Sequence, residues 1–352
     1  MLARLGFNSY RFSVEWARVE PEDGEFSSAA LEHYRRMLAT CHEHKLTPIV
    51  TLHHFTSPRW IAARGGWESH ATAERFARYC GRVARHLGDM IGFACTINEL
   101  NSTPMLQHMK ILPPDDAMRN LAWRREAAHA MGVEPENFSV FPFCSTSKTA
   151  LVTLEAHRLG TEALKSGTAD LPVGMTIAMH DWQAIPGGEP IRDRARAASE
   201  DTFLEAARAD DFVGVQTYSR VRIGPEGIMR PEEGVELTQM RYEFWPEALE
   251  AAIRRAHEVA RVPIIVTENG IATLDDTRRI AYVERALTGA ARCIQDGIEV
   301  RGYCYWSMLD NYEWVLGYRP KFGLIAVDRD TQQRTLKPSA EWLGNLARRN
   351  AL

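Results

Sequence analysis

The sequence lacks the features that mark several large classes of protein. No uninterrupted apolar run in its 352 residues is long enough to span a bilayer, and residues 1–15 have no signal-peptide core. We therefore expect no membrane partner. Lysine and arginine are not clustered and the net charge is −4, which argues against nucleic acid as a partner. No G-x-G-x-x-G or Walker A sequence occurs, so nothing indicates a nucleotide-phosphate loop.

Cysteine is scarce and scattered. The six cysteines form no CxxC pair, and several lie in apolar strand or helix patterns, which favours buried reduced thiols over disulfides or zinc ligands. A reducing cytoplasm is the compartment that this pattern predicts. No metal-ligating constellation is visible, and we expect no cofactor.

What the sequence does contain is a regular alternation of two patterns. Short apolar runs rich in β-branched and aromatic residues are typical of buried parallel strands, and they occupy residues 9–16, 47–54, 92–98, 172–180, 212–218, 263–268 and 300–306. Amphipathic patterns between them predict helices from Ser27 or Ser28 to Cys41, from Phe76 to Leu87, and near 148–165, 246–261, 277–296 and 338–349.

This alternation of β and α units predicts a parallel sheet, either open or closed into a barrel. Open doubly wound sheets usually carry a glycine-rich phosphate loop, and its absence favours an α/β fold of the (β/α)8 TIM-barrel type. Such a barrel needs eight strands and the pattern supplies seven, so a first strand would be missing before Ser9. Without repeats, low-complexity tracts or linkers, residues 1–352 are interpreted as one barrel domain.

Two acid-bearing motifs directly follow strand-like runs. Thr96-Ile97-Asn98-Glu99 ends the third predicted strand, and Thr267-Glu268-Asn269-Gly270 ends the sixth. A carboxylate at the end of a buried strand is costly unless something uses it, and two of them suggest a paired-acid site at the carboxyl-terminal mouth of a barrel. The alternative is that each Glu only caps the helix that follows.

Other polar and aromatic side chains fall at strand ends. Arg11 lies in the first predicted strand, His54 ends the second, Tyr218 the fifth and Trp306 the seventh. This set suits a sugar, because carboxylates perform the chemistry, polar groups bind hydroxyls and an indole covers a ring face. Arg11 beside one Glu would keep it ionised as a nucleophile. Taken alone, each has a structural alternative: Trp306 as core, His54 as a satisfied buried histidine, Arg11 in an interior ion pair.

A series of segments, in this order, resembles the β-glycosidases of glycoside hydrolase family 1 over nearly the whole chain. The matching segments are Tyr10-Arg11-Phe12-Ser13-Val14-Glu15-Trp16, Thr51-Leu52-His53-His54-Phe55, Thr96-Ile97-Asn98-Glu99, Asp211-Phe212-Val213-Gly214-Val215, Val266-Thr267-Glu268-Asn269-Gly270, Trp306-Ser307-Met308-Leu309-Asp310-Asn311-Tyr312-Glu313-Trp314, Gly317-Tyr318 and Lys321-Phe322-Gly323-Leu324 with Asp328.

The resemblance implies a role for each matched residue. Glu99 corresponds to the acid/base and Glu268 to the nucleophile. The remaining correspondences are Asn98 for the sugar 2-hydroxyl, His54 for the 3-hydroxyl side, Trp306 for the indole floor, Glu313 with Trp314 for the distal hydroxyls, and Arg11 with Tyr218 for hydrogen bonds to the nucleophile.

The chain also departs from the family pattern. Gln216 and Thr217 replace the usual Asn and Tyr, Leu100 replaces the usual Pro, and the stretch between Glu200 and Asp211 is short. The family's first strand, with a sugar-binding Gln, is absent, so we expect an incompletely closed barrel that is weakly stable or sealed by homo-oligomerisation.

The sequence thus predicts a retaining exo-β-glycosidase that hydrolyses β-glucosides or similar small β-glycosides. Two alternatives stay open. One is a weakly active or inactive sugar-binding barrel, because the scaffold is incomplete. The other is a 6-phospho-β-glycosidase, although an anionic Glu313 would repel a 6-phosphate.

Overall fold

The computed structural model describes residues 1–144 and 146–351. The chain forms two compact units, each assembled from separate segments. The first, which we call the Glu99 unit, comprises Tyr10–Ala178 and Ala197–Val213. The second, the Glu268 unit, comprises Met1–Ser9, Met179–Arg196 and Gly214–Leu352. The prediction of a single domain over 1–352 stays a prediction.

The strands in the described residues are β1 (Ser9–Ser13), β2 (Thr47–His53), β3 (Phe93–Ile97), β4 (Val173–Gly174), β5 (Thr176–Ala184), β6 (Val213–Gly224), β7 (Gly227–Ile228), β8 (Ile264–Asn269), β9 (Val300–Tyr305), β10 (Ile325–Val327) and β11 (Arg334–Leu336). One sheet has the order β1-β2-β3-β4, a second has β5-β6-β8-β9 with β7 beside β6, and β10 pairs with β11.

The α-helices are α1 (Leu2–Leu5), α2 (Trp16–Val19), α3 (Ser28–Glu43), α4 (Arg59–Ala62), α5 (Ala71–Leu87), α6 (Ser102–His108), α7 (Asp115–Arg119), α8 (Ala122–Ala130), α9 (Thr146–Gly167), α10 (Glu189–Arg196), α11 (Thr202–Ala206), α12 (Ala248–Ala260), α13 (Asp276–Gln295) and α14 (Pro338–Arg349). None of these helices combines the length and apolarity that crossing a bilayer needs, a finding limited to the described residues.

Parallel pairing aligns strand ends within each unit. In the Glu99 unit, β2 and β3 run parallel, with His53 opposite Ile97. In the Glu268 unit, β8 and β9 run parallel, with Asn269 opposite Tyr305. Since the carboxyl ends of parallel strands meet at one edge, the residues that follow His53 and Ile97 are neighbours.

Aromatic packing supports the ends of β1 and β2. The Tyr79 hydroxyl of α5 donates to the carbonyl oxygens of Val14 at 2.9 Å and Leu52 at 3.1 Å. Its ring stacks on Trp16 with centroids 5.3 Å apart. One buried side chain therefore satisfies two backbone carbonyls and fixes where both strands end.

All seven predicted strands are present, with differences at their ends. The run at 172–180 divides at Met175 into β4, which pairs with β3, and β5, which pairs with β6. The run predicted to end at Tyr218 continues to Gly224, because β6 still has backbone partners there. Ile223 and Gly224 pair antiparallel with Ile228 and Gly227 of β7, and the Ile223 carbonyl oxygen accepts from Ile185 N at 2.9 Å. Within the described residues no strand precedes Ser9, and β1 lies at an edge of its sheet.

The predicted helices are also present, and their caps follow the expected chemistry. The Ser27 hydroxyl accepts from Ala30 N at the start of α3, and Asp275 accepts from Thr277 N at the start of α13. The short helices α6, α7 and α8 were not predicted. The six cysteines form no disulfide in the described residues, and five of them are buried.

The contact of α14 with α1 gives a test of packing. A Cβ placed on Gly344 would lie 2.1 Å from the Leu5 carbonyl oxygen. Gly344→Ala should therefore lower the free energy of unfolding by about 1–2 kcal/mol, since the clash outweighs the helix-propensity gain of about 1 kcal/mol. Denaturant titration measures the change.

Gly81→Ala is the matched control, because Gly81 also lies inside a helix but its added Cβ would meet neighbours only at 3.5 Å and beyond. It should be neutral or stabilising. Equal effects of the two substitutions would contradict the packing of α14 on α1.

Candidate active site

In the Glu99 unit, the end of β3 carries the first acid. Asn98 is buried, and its backbone N–H donates to the His53 carbonyl oxygen of β2 at 2.7 Å. The Arg11 guanidinium donates to Asn98 Oδ1 at 2.5 Å. Arg11, from the middle of β1, thus reaches past β2 and fixes the Asn98 amide, which lies next to Glu99 after the end of β3.

The backbone of Glu99 is held in an unusual conformation. Its φ of 44° lies in the left-handed region, which a residue with a side chain adopts only when its surroundings impose it. Glu99 N donates to the Thr176 hydroxyl at 3.1 Å, and Leu100 N donates to the Thr176 carbonyl oxygen at 3.3 Å. The Ser102 hydroxyl donates to the Glu99 Oε2 atom at 3.1 Å. These contacts fix both the backbone and the carboxylate of the acid.

The end of β2 presents two histidines. Burial lowers the pKa of His53 to about 3, and its Nε2 contacts the Ser57 hydroxyl at 2.9 Å. Burial, with the Arg11 charge and His53 adding to it, holds the pKa of His54 well below its usual range. His54 Nδ1 contacts the Ser13 hydroxyl at 3.2 Å. His54 is therefore a neutral, oriented hydrogen-bonding group.

In the Glu268 unit, the second acid lies at the end of β8. Glu268 is 4% exposed, and the Tyr218 hydroxyl of β6 donates to its Oε2 atom at 2.5 Å. The Asn269 amide donates to the Thr217 carbonyl oxygen at 2.7 Å and its Oδ1 accepts from the Tyr303 hydroxyl at 3.0 Å. Asn269 therefore links β8 by hydrogen bonds to β6 on one side and to β9 on the other.

Gly270, the last residue of the second acidic motif, is glycine for a steric reason. A Cβ at this position would lie 2.2 Å from the Trp306 carbonyl oxygen. Trp306 N donates to the Asn269 carbonyl oxygen at 2.9 Å, so the ends of β8 and β9 approach closely. Only glycine allows this approach, which brings Trp306 beside the segment that carries Glu268.

The loop after β9 carries a third carboxyl group. Asn311 Nδ2 donates to Glu313 Oε2 at 2.7 Å. Burial raises the pKa of Glu313, the hydrogen bonds from Asn311 and Trp306 oppose that rise, and the Glu268 charge adds to it. Trp314 is partly exposed, with a φ of 46°. Glu268, Trp306 and Glu313 thus interact within one unit.

The sequence-predicted residues therefore form two clusters. Arg11, His54, Asn98 and Glu99 belong to the Glu99 unit, whereas Tyr218, Glu268, Trp306, Glu313 and Trp314 belong to the Glu268 unit. The contact of Tyr218 with Glu268 is present, and the expected support of Glu268 by Arg11 stays a prediction.

Two contacts of Glu99, those with Ser102 and Thr176, were not predicted from the sequence. Ser102 follows the acid by three residues, a spacing that could have suggested a local hydrogen bond. Thr176 could not have been identified, because its contact depends on the register of distant strands. No group of three or more His, Cys, Asp or Glu side chains that could hold a metal occurs in the part of the chain that the structure describes.

Comparison with known proteins yields a consistent set of relatives. The family model for glycosyl hydrolase family 1 matches residues 1–200 and 224–352. Beta-glucosidase A of Thermotoga maritima is 28% identical over 382 residues, covering 100% of this chain and 85% of that protein. A bifunctional beta-D-glucosidase/beta-D-fucosidase of Bifidobacterium breve is 30% identical, with 97% and 84% covered.

Solved structures agree with these relatives. The crystal structure of beta-glycosidase BGL167 is 54% identical with a TM-score of 0.97, covering 100% of this chain and 84% of that one. The Thermotoga maritima beta-glucosidase in complex with deoxynojirimycin is 25% identical with a TM-score of 0.82, covering 100% and 85%. The likeness and the parallel strands confirm the predicted fold class, an α/β barrel of the TIM type.

The raised pKa of Glu313 makes a prediction about stability. A carboxyl group whose pKa is higher in the folded protein contributes stability below its unfolded value, near 4.5, and loses that contribution as the pH rises through the folded pKa. Glu313→Gln removes the buried charge at neutral pH while keeping an acceptor for Asn311. Its Tm should exceed that of the unaltered protein at pH 7.

The difference in Tm should shrink as the pH falls toward 4, where Glu313 itself is protonated. Glu284→Gln, at an exposed position of α13, is the control and should show no such trend. A Tm difference that stays constant from pH 4 to pH 7 would contradict the effect of burial on Glu313.

Proposed function

The chain belongs to glycosyl hydrolase family 1 and is a glycoside hydrolase, and we propose that it is a retaining exo-β-glycosidase acting on β-glucosides or related small β-glycosides. The observation that supports this best is the buried Glu268 carboxylate that accepts a hydrogen bond from Tyr218 at 2.5 Å. A small β-glycoside is the proposed substrate, and no cofactor is needed for the reaction.

Glu268 is the proposed nucleophile. Its carboxylate attacks the anomeric carbon, the bond to the leaving oxygen breaks, and a covalent glycosyl ester forms. The Tyr218 hydroxyl supports this role because a donated hydrogen bond stabilises the negative charge and directs the carboxylate. Arg11 is proposed to support the same charge.

Glu99 is the proposed acid/base. In the first step its carboxyl group gives a proton to the leaving oxygen, which departs as an alcohol. In the second step the Glu99 carboxylate takes a proton from water, the water oxygen attacks the anomeric carbon, and Glu268 is released as a carboxylate.

The remaining residues are proposed to bind the sugar. Asn98 would contact the 2-hydroxyl and His54 the 3-hydroxyl, while Glu313 and Trp314 would bind the distal hydroxyls over the Trp306 floor. The low pKa of His54 and its Ser13 contact support this role, because a neutral imidazole with a fixed ring accepts and donates in defined directions.

Turnover of an aryl β-glucoside tests the proposal against a sugar-binding barrel without catalysis. Both acids are present and buried or hydrogen-bonded, which favours the enzyme. The first product should be the β-anomer, because two inversions at the anomeric carbon restore the configuration. NMR of the early products measures this, and an α-anomer formed first would exclude a retaining mechanism.

The two acids should respond differently to removal. Glu268→Ala should reduce turnover to background, since no glycosyl ester can form. Glu99→Ala should cost about 10²–10⁴-fold in kcat/KM with a poor leaving group such as an alkyl β-glucoside, and far less with dinitrophenyl β-glucoside, which needs no proton.

Azide should partly restore the activity of the Glu99→Ala variant and yield a β-glycosyl azide. The anion can attack the anomeric carbon from the position that the activated water normally occupies. Equal losses with good and poor leaving groups would contradict the assignment of Glu99.

A further inference from the structure

We propose that Ser102 and Thr176 are positioning residues that hold Glu99 in the geometry from which it transfers protons. The inference rests on the proposed role of Glu99 as acid/base. Neither residue belongs to the matched motifs from which the sequence predicted the site. Both are buried, at 2% and 0% exposure, and both contact Glu99 directly.

Ser102 acts on the carboxyl group. It lies at the start of α6, and its hydroxyl donates to Glu99 Oε2 at 3.1 Å. Its backbone N–H also donates to the Glu99 carbonyl oxygen at 2.8 Å. The side chain of Glu99 has several rotatable bonds, and a buried donor on one oxygen restricts where the carboxyl group can point.

Thr176 acts on the backbone, through three hydrogen bonds. Its hydroxyl donates to the Ile97 carbonyl oxygen at 3.2 Å and accepts from Glu99 N at 3.1 Å. Its own carbonyl oxygen accepts from Leu100 N at 3.3 Å. These bonds bracket Glu99 on both sides and oppose relaxation of its left-handed φ of 44°.

Asn101, two residues after Glu99, anchors the same turn. Its amide donates to the carbonyl oxygens of Ala178 and Ser199, each at 2.7 Å, and accepts from Ala178 N at 2.9 Å. The turn that carries Glu99 is therefore fixed at consecutive residues by β5, where Thr176 and Ala178 lie. Because that turn cannot shift freely, loss of the Ser102 bond should act on the carboxyl group itself.

The Ser102 bond has a consequence that a purely structural bond would lack. A hydroxyl that donates to a carboxylate favours the ionised form. The first chemical step needs Glu99 protonated, so the alkaline limb of the kcat/KM profile reports its ionisation. Removing the donor disfavours the anion and moves that limb to higher pH.

Ser102→Ala, made in the 352-residue chain, tests this directly. The alkaline limb of kcat/KM should rise by about 0.5–1 pH unit. The pH-independent plateau of kcat/KM for an alkyl β-glucoside should fall about 3–10-fold, because the carboxyl group loses its fixed orientation. With dinitrophenyl β-glucoside, which needs no proton, the loss should be less than about 2-fold.

Thr103→Val is the matched control. Thr103 is the next residue of α6, is fully buried, and its hydroxyl donates to the Pro142 carbonyl oxygen at 2.7 Å. This substitution also removes one buried hydroxyl hydrogen bond from the same helix. It should lower stability but leave the pH profile and the leaving-group dependence unchanged.

Thr176→Val is the second test, since valine has nearly the shape of threonine without its hydroxyl. It should reproduce the leaving-group-dependent loss, with alkyl β-glucosides affected about 3–10-fold more than dinitrophenyl β-glucoside. This variant keeps the proposal testable if Ser102→Ala does not fold.

Glu99→Ala, measured alongside, separates two kinds of failure. If it shows azide rescue and strong leaving-group dependence while Ser102→Ala and Thr176→Val both behave like Thr103→Val, the positioning role is wrong and the proposed function stands. If Glu99→Ala shows neither behaviour, the acid/base assignment and the inference from it both fail.

Discussion

A polar group at the end of a buried strand needs a hydrogen-bond partner, because a buried polar group without one lowers the stability of the folded protein. Both units are organised around this constraint. Glu268 meets it with the Tyr218 hydroxyl, Asn98 with Arg11, and Asn269 with the strands on either side. The groups that satisfy these demands also fix the directions of the side chains, so the same hydrogen bonds serve folding and chemistry.

Departure from regular strand geometry occurs where the reactive side chains leave the sheets. Among the residues other than glycine with a positive φ, Phe55 and Glu99 have values of 68° and 44° and follow the ends of β2 and β3. Trp314 has a φ of 46° and lies in the loop after β9. Gly270 is the opposite case, because its missing Cβ admits the Trp306 carbonyl oxygen. Strained residues at such positions persist only when the surrounding structure over-determines them, which is consistent with the several contacts at Glu99.

Much of this architecture could be predicted from sequence, for identifiable reasons. Buried parallel strands are short apolar runs, so all seven were located, and hydroxyl or carboxylate caps marked helix starts such as that of α3. The extension of β6 to Gly224 was missed although Arg220-Val221-Arg222-Ile223 alternates charged and apolar residues, as a half-buried strand does. Helices α6 to α8 are 7, 5 and 9 residues long, too short for a periodic apolar pattern to identify them from the sequence. Motifs revealed the candidate site residues, whereas Thr176 depended on pairing between remote segments that one sequence does not display.

Leu100 shows how a departure from the family pattern is accommodated. A proline here would have no backbone N–H to donate, and it would push the residue before it toward extended conformations. With leucine, the N–H reaches the Thr176 carbonyl oxygen and Glu99 is free to adopt its positive φ. The rigidity that a proline ring would supply is replaced by hydrogen bonds to β5, and the Leu100 side chain is buried. Rigidity built from hydrogen bonds depends on the residues that donate and accept them. The orientation of Glu99 is therefore tied to Thr176 and Ser102, rather than to the covalent geometry of its own motif.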